Sequence, residues 1–169
     1  MFKKPVKQYT FTDMSEGDWF KKYVDALNPY GILKGDNIDE DAGTATIRGN
    51  EPASRNETAI FILRMLGIEA NIFADEKMPF VDRDETQAWS DNYIKAAYAL
   101  GFIKGEETEN GLVYRGKDKI TRAEFFALIA RALMPLTDDE GYKEVNFDSF
   151  EDKEDIERFT WFENEFKFV

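Results

Sequence analysis

The sequence Thr121-Arg122-Ala123-Glu124 opens an apolar run, and Ser54-Arg55-Asn56-Glu57 opens a similar run 67 residues earlier. In both places a hydroxyl residue is followed three positions later by a glutamate, which is the pattern of a capping box at the start of a helix. The apolar residues that follow have helical spacing in each case. The two tetrapeptides therefore predict two equivalent helices.

The two predicted helices end a longer repeat that can be followed upstream. Each copy begins with Phe-x-Asp and continues through a tryptophan, a second aromatic residue and a Gly-x-x-x-Gly sequence. These landmarks are Phe11, Asp13, Trp19, Tyr23, Gly31 and Gly35 in the first copy, and Phe80, Asp82, Trp89, Tyr93, Gly101 and Gly105 in the second. Because equivalent landmarks lie 67 to 70 residues apart, one supersecondary unit is predicted to occur twice.

The landmarks also set the predicted domain boundaries. A third Phe-x-Asp begins at Phe150, and apolar residues at helical spacing follow it. We predict an N-terminal extension at 1–10, a first repeat at 11–70, a second repeat at 80–134 and the first helix of a third repeat at 147–169.

Helical spacing is the dominant pattern within each copy. It runs from Gly17 to Asn28 and from Trp89 to Leu100, and Pro29 is expected to end the first of these helices early. The stretches 36–53 and 106–120 are polar and are expected to be loops. We therefore predict an all-α fold of tandem helical repeats with long loops.

The composition excludes several classes of function. A net charge of −12 argues against nucleic acid as a partner, because phosphate binding needs concentrated positive charge. The absence of Cys and His excludes thiol nucleophiles, Ser-His-Asp catalysis and His-ligated zinc. The acidic segment Asp36 to Gly43 does not have the spacing of an EF-hand. We predict no metal site and no cofactor.

No membrane span is predicted, because no apolar run is long enough to cross a bilayer. Met1-Phe2-Lys3-Lys4 leads directly into polar residues, so no secretory signal is expected in this chain. If the natural protein is exported, we expect this chain to be a part of it.

The arginine of each tetrapeptide is not explained by helix capping. Ser54, Glu57, Thr121 and Glu124 are accounted for as helix caps. Arg55 and Arg122, however, stand where the helix dipole disfavours a cation. A helix N-terminus with free N–H groups and an arginine could hold a carboxylate or phosphate. Alternatively, each arginine pairs with a carboxylate of the neighbouring repeat, such as Asp13 or Asp82.

The paired tryptophans and glycines each have two interpretations. Trp19 and Trp89 lie on apolar helical faces, which favours burial in the core over a ligand platform. The glycines Gly35 and Gly105 suit a tight turn, or a place where a ligand approaches the backbone closely.

Taken together, these residues resemble the S-layer homology repeat. The second copy resembles it closely through Thr121-Arg122-Ala123-Glu124. The first copy has Ser54-Arg55-Asn56-Glu57, a longer loop and the extra Pro29. The resemblance implies a pseudo-threefold helical bundle of three repeats. The third repeat here lacks its Gly-x-x-x-Gly and its arginine, which puts one of the three grooves in doubt.

The resemblance also implies a function, which is non-catalytic anchoring to the bacterial cell wall. Secondary cell-wall polysaccharide, often carrying a pyruvylated amino sugar, or peptidoglycan-linked glycan would bind in grooves between repeats. The binding residues implied by the family are Arg55, Arg122, Gly35, Gly105, Asp13, Asp82, Trp19 and Trp89. Two alternatives are a self-assembly module that contacts other surface-layer subunits and a small glycosidase using two carboxylates.

Overall fold

The computed structural model of the chain describes residues 7–133. Residues 1–6 of the predicted extension and the whole of the predicted third repeat at 147–169 lie outside the described residues. The predicted closure of three repeats into a pseudo-threefold bundle therefore stays a prediction.

Within residues 7–133 the chain forms both helices and strands. The helices are α1 (Lys21–Leu27), α2 (Arg55–Met65), α3 (Asp91–Ala99) and α4 (Arg122–Leu133), with 3-10 helices at Asn28–Tyr30, Ala70–Phe73 and Glu85–Ser90. The strands are β1 (Thr10–Phe11), β2 (Asp36–Asp39), β3 (Thr44–Thr46), β4 (Glu106–Thr108) and β5 (Gly111–Val113). The prediction of an all-α fold is therefore wrong, and the fold is mixed α/β.

The strands form one small sheet in each repeat. In the first repeat β3 is central, with β1 parallel to it and β2 antiparallel. In the second repeat β4 and β5 form an antiparallel hairpin. The Phe-x-Asp segment runs beside the hairpin in both copies, because Thr12 N–H donates to the Ala45 carbonyl and Val81 N–H to the Leu112 carbonyl, each at 2.9 Å. The two copies thus share this arrangement.

Four of these five strands, β2 to β5, lie in the two stretches that were expected to be polar loops. The turn of the second hairpin consists of Glu109 and Asn110, because Thr108 pairs with Gly111 at the start of β5. The dipeptide Asn110-Gly111 at this end of the hairpin is a sequence signal for a hairpin. Gly43 precedes β3 with a φ of 68°. The strands are only two to four residues long, so they show little of the alternation by which a strand is recognised.

The first helix of each copy is shorter than the predicted segment. Helix α1 ends at Leu27, and Pro29 lies in the 3-10 turn that follows, as expected from its missing N–H. Helix α3 has nine residues where α1 has seven. Gly31 and Gly101 follow these segments in the left-handed conformation, which confirms them as stop signals.

The larger hydrophobic core contains residues of both sequence repeats. A small cluster in the first repeat is built around Phe11, Phe20 and Val24. The larger cluster combines Ile62 and Leu63 of α2 with residues of the second repeat, including Phe80, Ile94 and Phe102. Helix α2 of the first repeat is therefore packed against the second repeat, which brings its N-terminus next to the second hairpin.

Candidate functional site: a cavity between the repeats

A cavity of about 510 Å³ lies where the start of α2 meets the second repeat. Its lining is rich in charge, with four cationic side chains and two carboxylates. The lining residues are Arg55, Ile103, Lys104, Gly105, Glu106, Tyr114, Arg115, Glu124, Ala127 and Arg131. Of these, only Arg55 comes from the first repeat. The cavity is therefore a junction between repeats, where the sequence predicted a binding groove.

Arg55 is held in this cavity by two residues of the second repeat. Its Nη1 donates to Glu124 of α4, and its guanidinium carbon lies 5.2 Å from the centre of the Tyr114 ring. Both members of the ion pair keep about a quarter of their side-chain surface exposed, 23% for Arg55 and 24% for Glu124. The Nε and Nη2 groups of Arg55 make no hydrogen bond to any residue of 7–133, so one edge of the guanidinium is available to a ligand.

The start of α2 is anchored by backbone hydrogen bonds to the second repeat. Arg55 N–H donates to the Asp118 carbonyl at 3.0 Å, and Asn56 N–H donates to the Gly116 carbonyl at 2.9 Å. Ser54 also forms an antiparallel bridge with Lys119. The first-turn N–H groups of α2 are thus occupied, and the prediction that they would bind an anion is wrong. Any anion at this site is held by side chains.

Tyr114 contacts both the start of α2 and the core of the second repeat. Its hydroxyl donates to the Arg55 carbonyl at 3.0 Å, and its ring stacks on Phe80 at 5.2 Å. Burial raises the pKa of the Tyr114 hydroxyl, although the nearby Arg55 charge opposes this effect. Tyr114 is therefore a neutral hydrogen-bond donor that fixes the backbone at the base of the arginine.

Both predicted capping boxes are confirmed. Ser54 N–H donates to Glu57 at 2.6 Å, and Glu57 N–H donates to the Ser54 hydroxyl at 3.2 Å. The corresponding bonds between Thr121 and Glu124 are 2.9 and 3.3 Å. In Glu124 the cap uses Oε2 and leaves Oε1 for Arg55. One carboxylate thus caps α4 and also positions the arginine of the preceding repeat.

Asp13 and Asp82 have a structural role that the sequence did not indicate. Asp13 accepts from the N–H groups of Ile47 and Arg48, both at 2.8 Å. Asp82 accepts from the N–H groups of Tyr114 and Arg115 at 3.0 and 2.7 Å. Burial opposes ionisation of Asp13, but the two backbone donors outweigh it and lower the pKa of its carboxyl. Neither aspartate pairs with Arg55, which pairs with Glu124 instead.

Gly35 and Gly105 are required by packing. Both have positive φ, 77° and 79°. A Cβ on Gly35 would lie 2.5 Å from the Thr46 carbonyl oxygen, and a Cβ on Gly105 would lie 2.6 Å from the Phe80 ring. Gly105 also lines the cavity. The turn interpretation therefore holds for both, and only Gly105 also lines the described cavity.

The two tryptophans are exposed, and the prediction that they are buried in the core is wrong. The exposed fraction is 73% for Trp19 and 59% for Trp89. Both precede their α-helices, in a turn before α1 and in the 3-10 helix before α3. Because neither tryptophan lies within an α-helix, the α-helical spacing that predicted their burial does not apply to them. Neither lines the cavity.

Arg122 is exposed at the start of α4 and makes no ion pair with any residue of 7–133. It does not line the cavity between the first two repeats. By equivalence with Arg55, its neighbour would be the predicted third repeat, which lies outside the described residues. Its predicted role as a ligand-binding residue stays a prediction.

Five charged or aromatic residues of the cavity were missed by the sequence analysis. They are Lys104, Glu106, Tyr114, Arg115 and Arg131. A signal for one of them was present, because Arg-Gly occurs at Arg48-Gly49 and again 67 residues later at Arg115-Gly116. This is the same offset as that of the two capping boxes. Arg115 pairs with Glu106, and its hydrogen bond and charge lower the pKa of the Glu106 carboxyl.

A buried polar network fixes the position of the first repeat beside the cavity. Asn56 is 2% exposed, and its amide donates to Gln87 at 3.1 Å. Arg83 donates to Asn56 at 3.1 Å and to Gln87 at 2.8 Å. It also bonds Ser90 and Asp91. Since Asn56 directly follows Arg55, this network determines where the cavity arginine stands.

No group of three or more potential metal ligands occurs in residues 7–133. The helices in this part of the chain include none with the length and hydrophobicity that crossing a bilayer requires.

Comparison with known proteins places a family match in the second repeat. The family model of the S-layer homology domain matches residues 79–126. Amylopullulanase of Thermoanaerobacterium thermosulfurigenes is 30% identical over 155 residues, covering 92% of this chain and 7% of the relative. Exoglucanase XynX of Acetivibrio thermocellus is 30% identical over 124 residues, covering 70% of this chain and 10% of the relative.

The chain thus spans a tenth or less of the length of these two relatives. The matched segment begins just before Phe80 and contains the second hairpin and the start of α4. It therefore includes every cavity residue except Arg55, Ala127 and Arg131. The second repeat, residues 79–126, is therefore the part of the chain that matches the S-layer homology domain.

Proposed function

We propose that this chain is a non-catalytic module that anchors a protein to the bacterial cell wall by binding an anionic glycan in the cavity between its repeats. A secondary cell-wall polysaccharide with a pyruvylated sugar is the ligand class that fits best. The match of residues 79–126 to the S-layer homology domain supports the coarser part of the proposal, since these domains anchor proteins at the cell surface. The charge of the cavity supports the finer part.

The observation that carries the proposal is an excess of positive charge in one place on an acidic protein. The whole chain has a net charge of −12. The cavity nevertheless has four cationic residues against two carboxylates, Glu106 and Glu124. A partly enclosed site focuses such a local field. An anionic group of a larger polymer is therefore attracted to this cavity and not to the protein surface in general.

Arg55 is the residue best placed to hold the anion. Glu124 and Tyr114 restrain its guanidinium, while Nε and Nη2 remain without partners in residues 7–133. Two neighbouring N–H donors on one edge match the two oxygens of a carboxylate. A side chain that is restrained before binding loses less entropy when the ligand arrives. A pyruvyl carboxylate meets these requirements, and a cavity of about 510 Å³ has the size of a small-ligand site.

The two carboxylates of the cavity do not suit glycoside hydrolysis. A glycosidase needs a carboxyl with a raised pKa that can donate a proton. Glu106 pairs with Arg115 and has a lowered pKa. Glu124 is committed to the cap of α4 and to Arg55. This arrangement favours binding without catalysis over the glycosidase alternative.

A pull-down with purified cell-wall sacculi tests the proposal. The wild-type chain is expected to sediment with intact sacculi and to stay in solution after the secondary polymer has been stripped. Arg55→Ala is expected to lose sedimentation. Sedimentation of the wild type is expected to weaken as the salt concentration rises, and any residual sedimentation of the variant should depend less on salt. Lys117→Ala is the matched control, because Lys117 has the same charge and pairs with Asp84 outside the cavity.

The proposal is wrong if stripped sacculi still bind the wild type, or if Arg55→Ala sediments as well as Lys117→Ala. A second function, self-assembly with other surface-layer subunits, is favoured by the exposure of Trp19 and Trp89 at equivalent positions. Sedimentation velocity over a range of protein concentrations separates the two. Oligomers that form without glycan would support self-assembly, and a monomer at all concentrations would exclude it.

A further inference from the structure

Arg48 and Arg115 are equivalent residues whose backbones are held in the same way. Both follow the hairpin of their repeat and have positive φ, 52° and 53°. The N–H of Arg48 donates to Asp13, and the N–H of Arg115 donates to Asp82. The backbone therefore places the two side chains equivalently within their repeats. Any difference between their contacts is due to the residues that surround each arginine.

In the first repeat the arginine is surrounded by carboxylates. Arg48 pairs with Asp36 at 2.6 Å, with Glu51 at 3.2 Å and with Glu57, the glutamate of the capping box. Its side chain is 33% exposed. With three acidic partners, Arg48 has little capacity left for an external anion.

In the second repeat the same position is much less satisfied. The capping-box glutamate is Glu124, and Arg55 of the first repeat occupies the oxygen of Glu124 that the cap leaves free. Within residues 7–133, Arg115 forms an ion pair with Glu106 alone. That pair is exposed, with 47% of Arg115 and 59% of Glu106 accessible. An exposed ion pair contributes little to stability, so a ligand can compete with Glu106 at small cost.

Arg55 and Arg115 act on the same space. Both line the cavity. The pKa of the Glu106 carboxyl is lowered mainly by its hydrogen bond and ion pair with Arg115, and the positive charge of Arg55 adds to this effect. The two guanidinium groups come from different repeats, and both therefore act electrostatically on the Glu106 carboxylate.

We propose that Arg115 is a second anion-binding residue, which grips the ligand together with Arg55 after releasing Glu106. Arg48, its equivalent in the first repeat, is closed by its own carboxylates and does not bind ligand. The inference rests on the proposed function and adds to it the residue that completes the grip. It also makes the two repeats unequal, because only in the second is this arginine released from the capping glutamate.

The test compares Arg115→Asn with Arg48→Asn. Asparagine accepts the left-handed backbone of both positions, so the backbone is not strained by either change. Binding of a pyruvylated N-acetylated amino sugar is measured by titration calorimetry on the full chain, and stability by thermal unfolding. We expect Arg115→Asn to bind about tenfold more weakly, with a nearly unchanged unfolding midpoint. Arg48→Asn is expected to keep the wild-type affinity and to lose more stability.

The inference is overturned if Arg115→Asn binds like the wild type, or if Arg48→Asn weakens binding as much. Arg55→Ala, measured in parallel, separates this failure from that of the proposed function. If Arg55→Ala weakens binding and Arg115→Asn does not, only the role of Arg115 is lost. If the wild type does not bind the sugar, or Arg55→Ala binds like the wild type, both proposals fall.

Discussion

Replacing Gly105 with alanine tests whether this glycine is needed by packing against Phe80. Its φ is 79°, and a Cβ would lie 2.6 Å from the Phe80 ring, 2.9 Å from the Val113 carbonyl oxygen and 3.0 Å from Leu112. A left-handed backbone costs alanine about 1–2 kcal/mol. Inserting a methyl group into a filled space costs about 1–3 kcal/mol more. We therefore expect Gly105→Ala to destabilise the chain by about 2–5 kcal/mol.

Gly101 provides a matched control within the same repeat. Its φ is 78°, but a Cβ placed on it has no atom within 4 Å. Gly101→Ala should therefore show the backbone term alone, about 1–2 kcal/mol. The difference between the two variants isolates the steric term.

Equilibrium unfolding in urea, followed by circular dichroism, measures both variants on the full chain. Equal destabilisation by Gly105→Ala and Gly101→Ala would refute the packing argument. In that case the requirement for glycine beside the cavity would have to come from the ligand.

Two further predictions concern the junction and the helix caps. Asn56→Ala should destabilise the chain by about 1–3 kcal/mol, because it deprives the buried Arg83 and Gln87 of a partner. Urea unfolding would contradict this if the variant matched the wild type. Glu57→Gln should change the pH dependence of stability. Burial opposes ionisation of Glu57, but its bonds with Ser54 and Arg48 outweigh burial and lower its pKa. The carboxylate therefore stabilises the fold above the ordinary glutamate pKa, and this contribution is lost as the pH falls through the lowered value. Thermal unfolding at several pH values should show the wild type ahead of Glu57→Gln at pH 7 and converging with it in acid, and a constant difference would contradict the assignment.

The sequence was a good guide wherever the structure is decided locally. The capping boxes at Ser54 and Thr121 depend on side chains three residues apart, and both formed as predicted. Gly31 and Gly101 ended their segments for the same reason. Local hydrogen bonds and backbone preferences are written in adjacent residues, so they can be read directly from the sequence.

The strands were missed because their partners are distant and their lengths short. Phe11 pairs with Ala45, 34 residues away. A two-residue strand has no measurable alternation, and its existence depends on the hairpin beside it. The one strong local signal for a hairpin was Asn110-Gly111, and it belongs to the second repeat, where β4 pairs with β5.

At the candidate site, the sequence predicted the importance of Arg55 but not its surroundings. The alternative that the arginine pairs with a carboxylate of the next repeat was right in kind and wrong in residue, since the partner is Glu124. Glu124 had been fully explained as a cap, and only the packing of α2 on the second repeat reveals its free oxygen. For Trp19 and Trp89, helical spacing predicted burial, but both precede the helices and are exposed.

The central claim is that an anionic glycan binds beside Arg55 in the cavity between the repeats. Titration calorimetry with a pyruvylated amino sugar, and with the same sugar lacking the pyruvyl group, tests it most directly. We predict that the wild type binds the pyruvylated sugar more tightly, and that Arg55→Ala removes this preference. Equal affinity of the wild type for the two sugars, or an undiminished preference in Arg55→Ala, would contradict the claim.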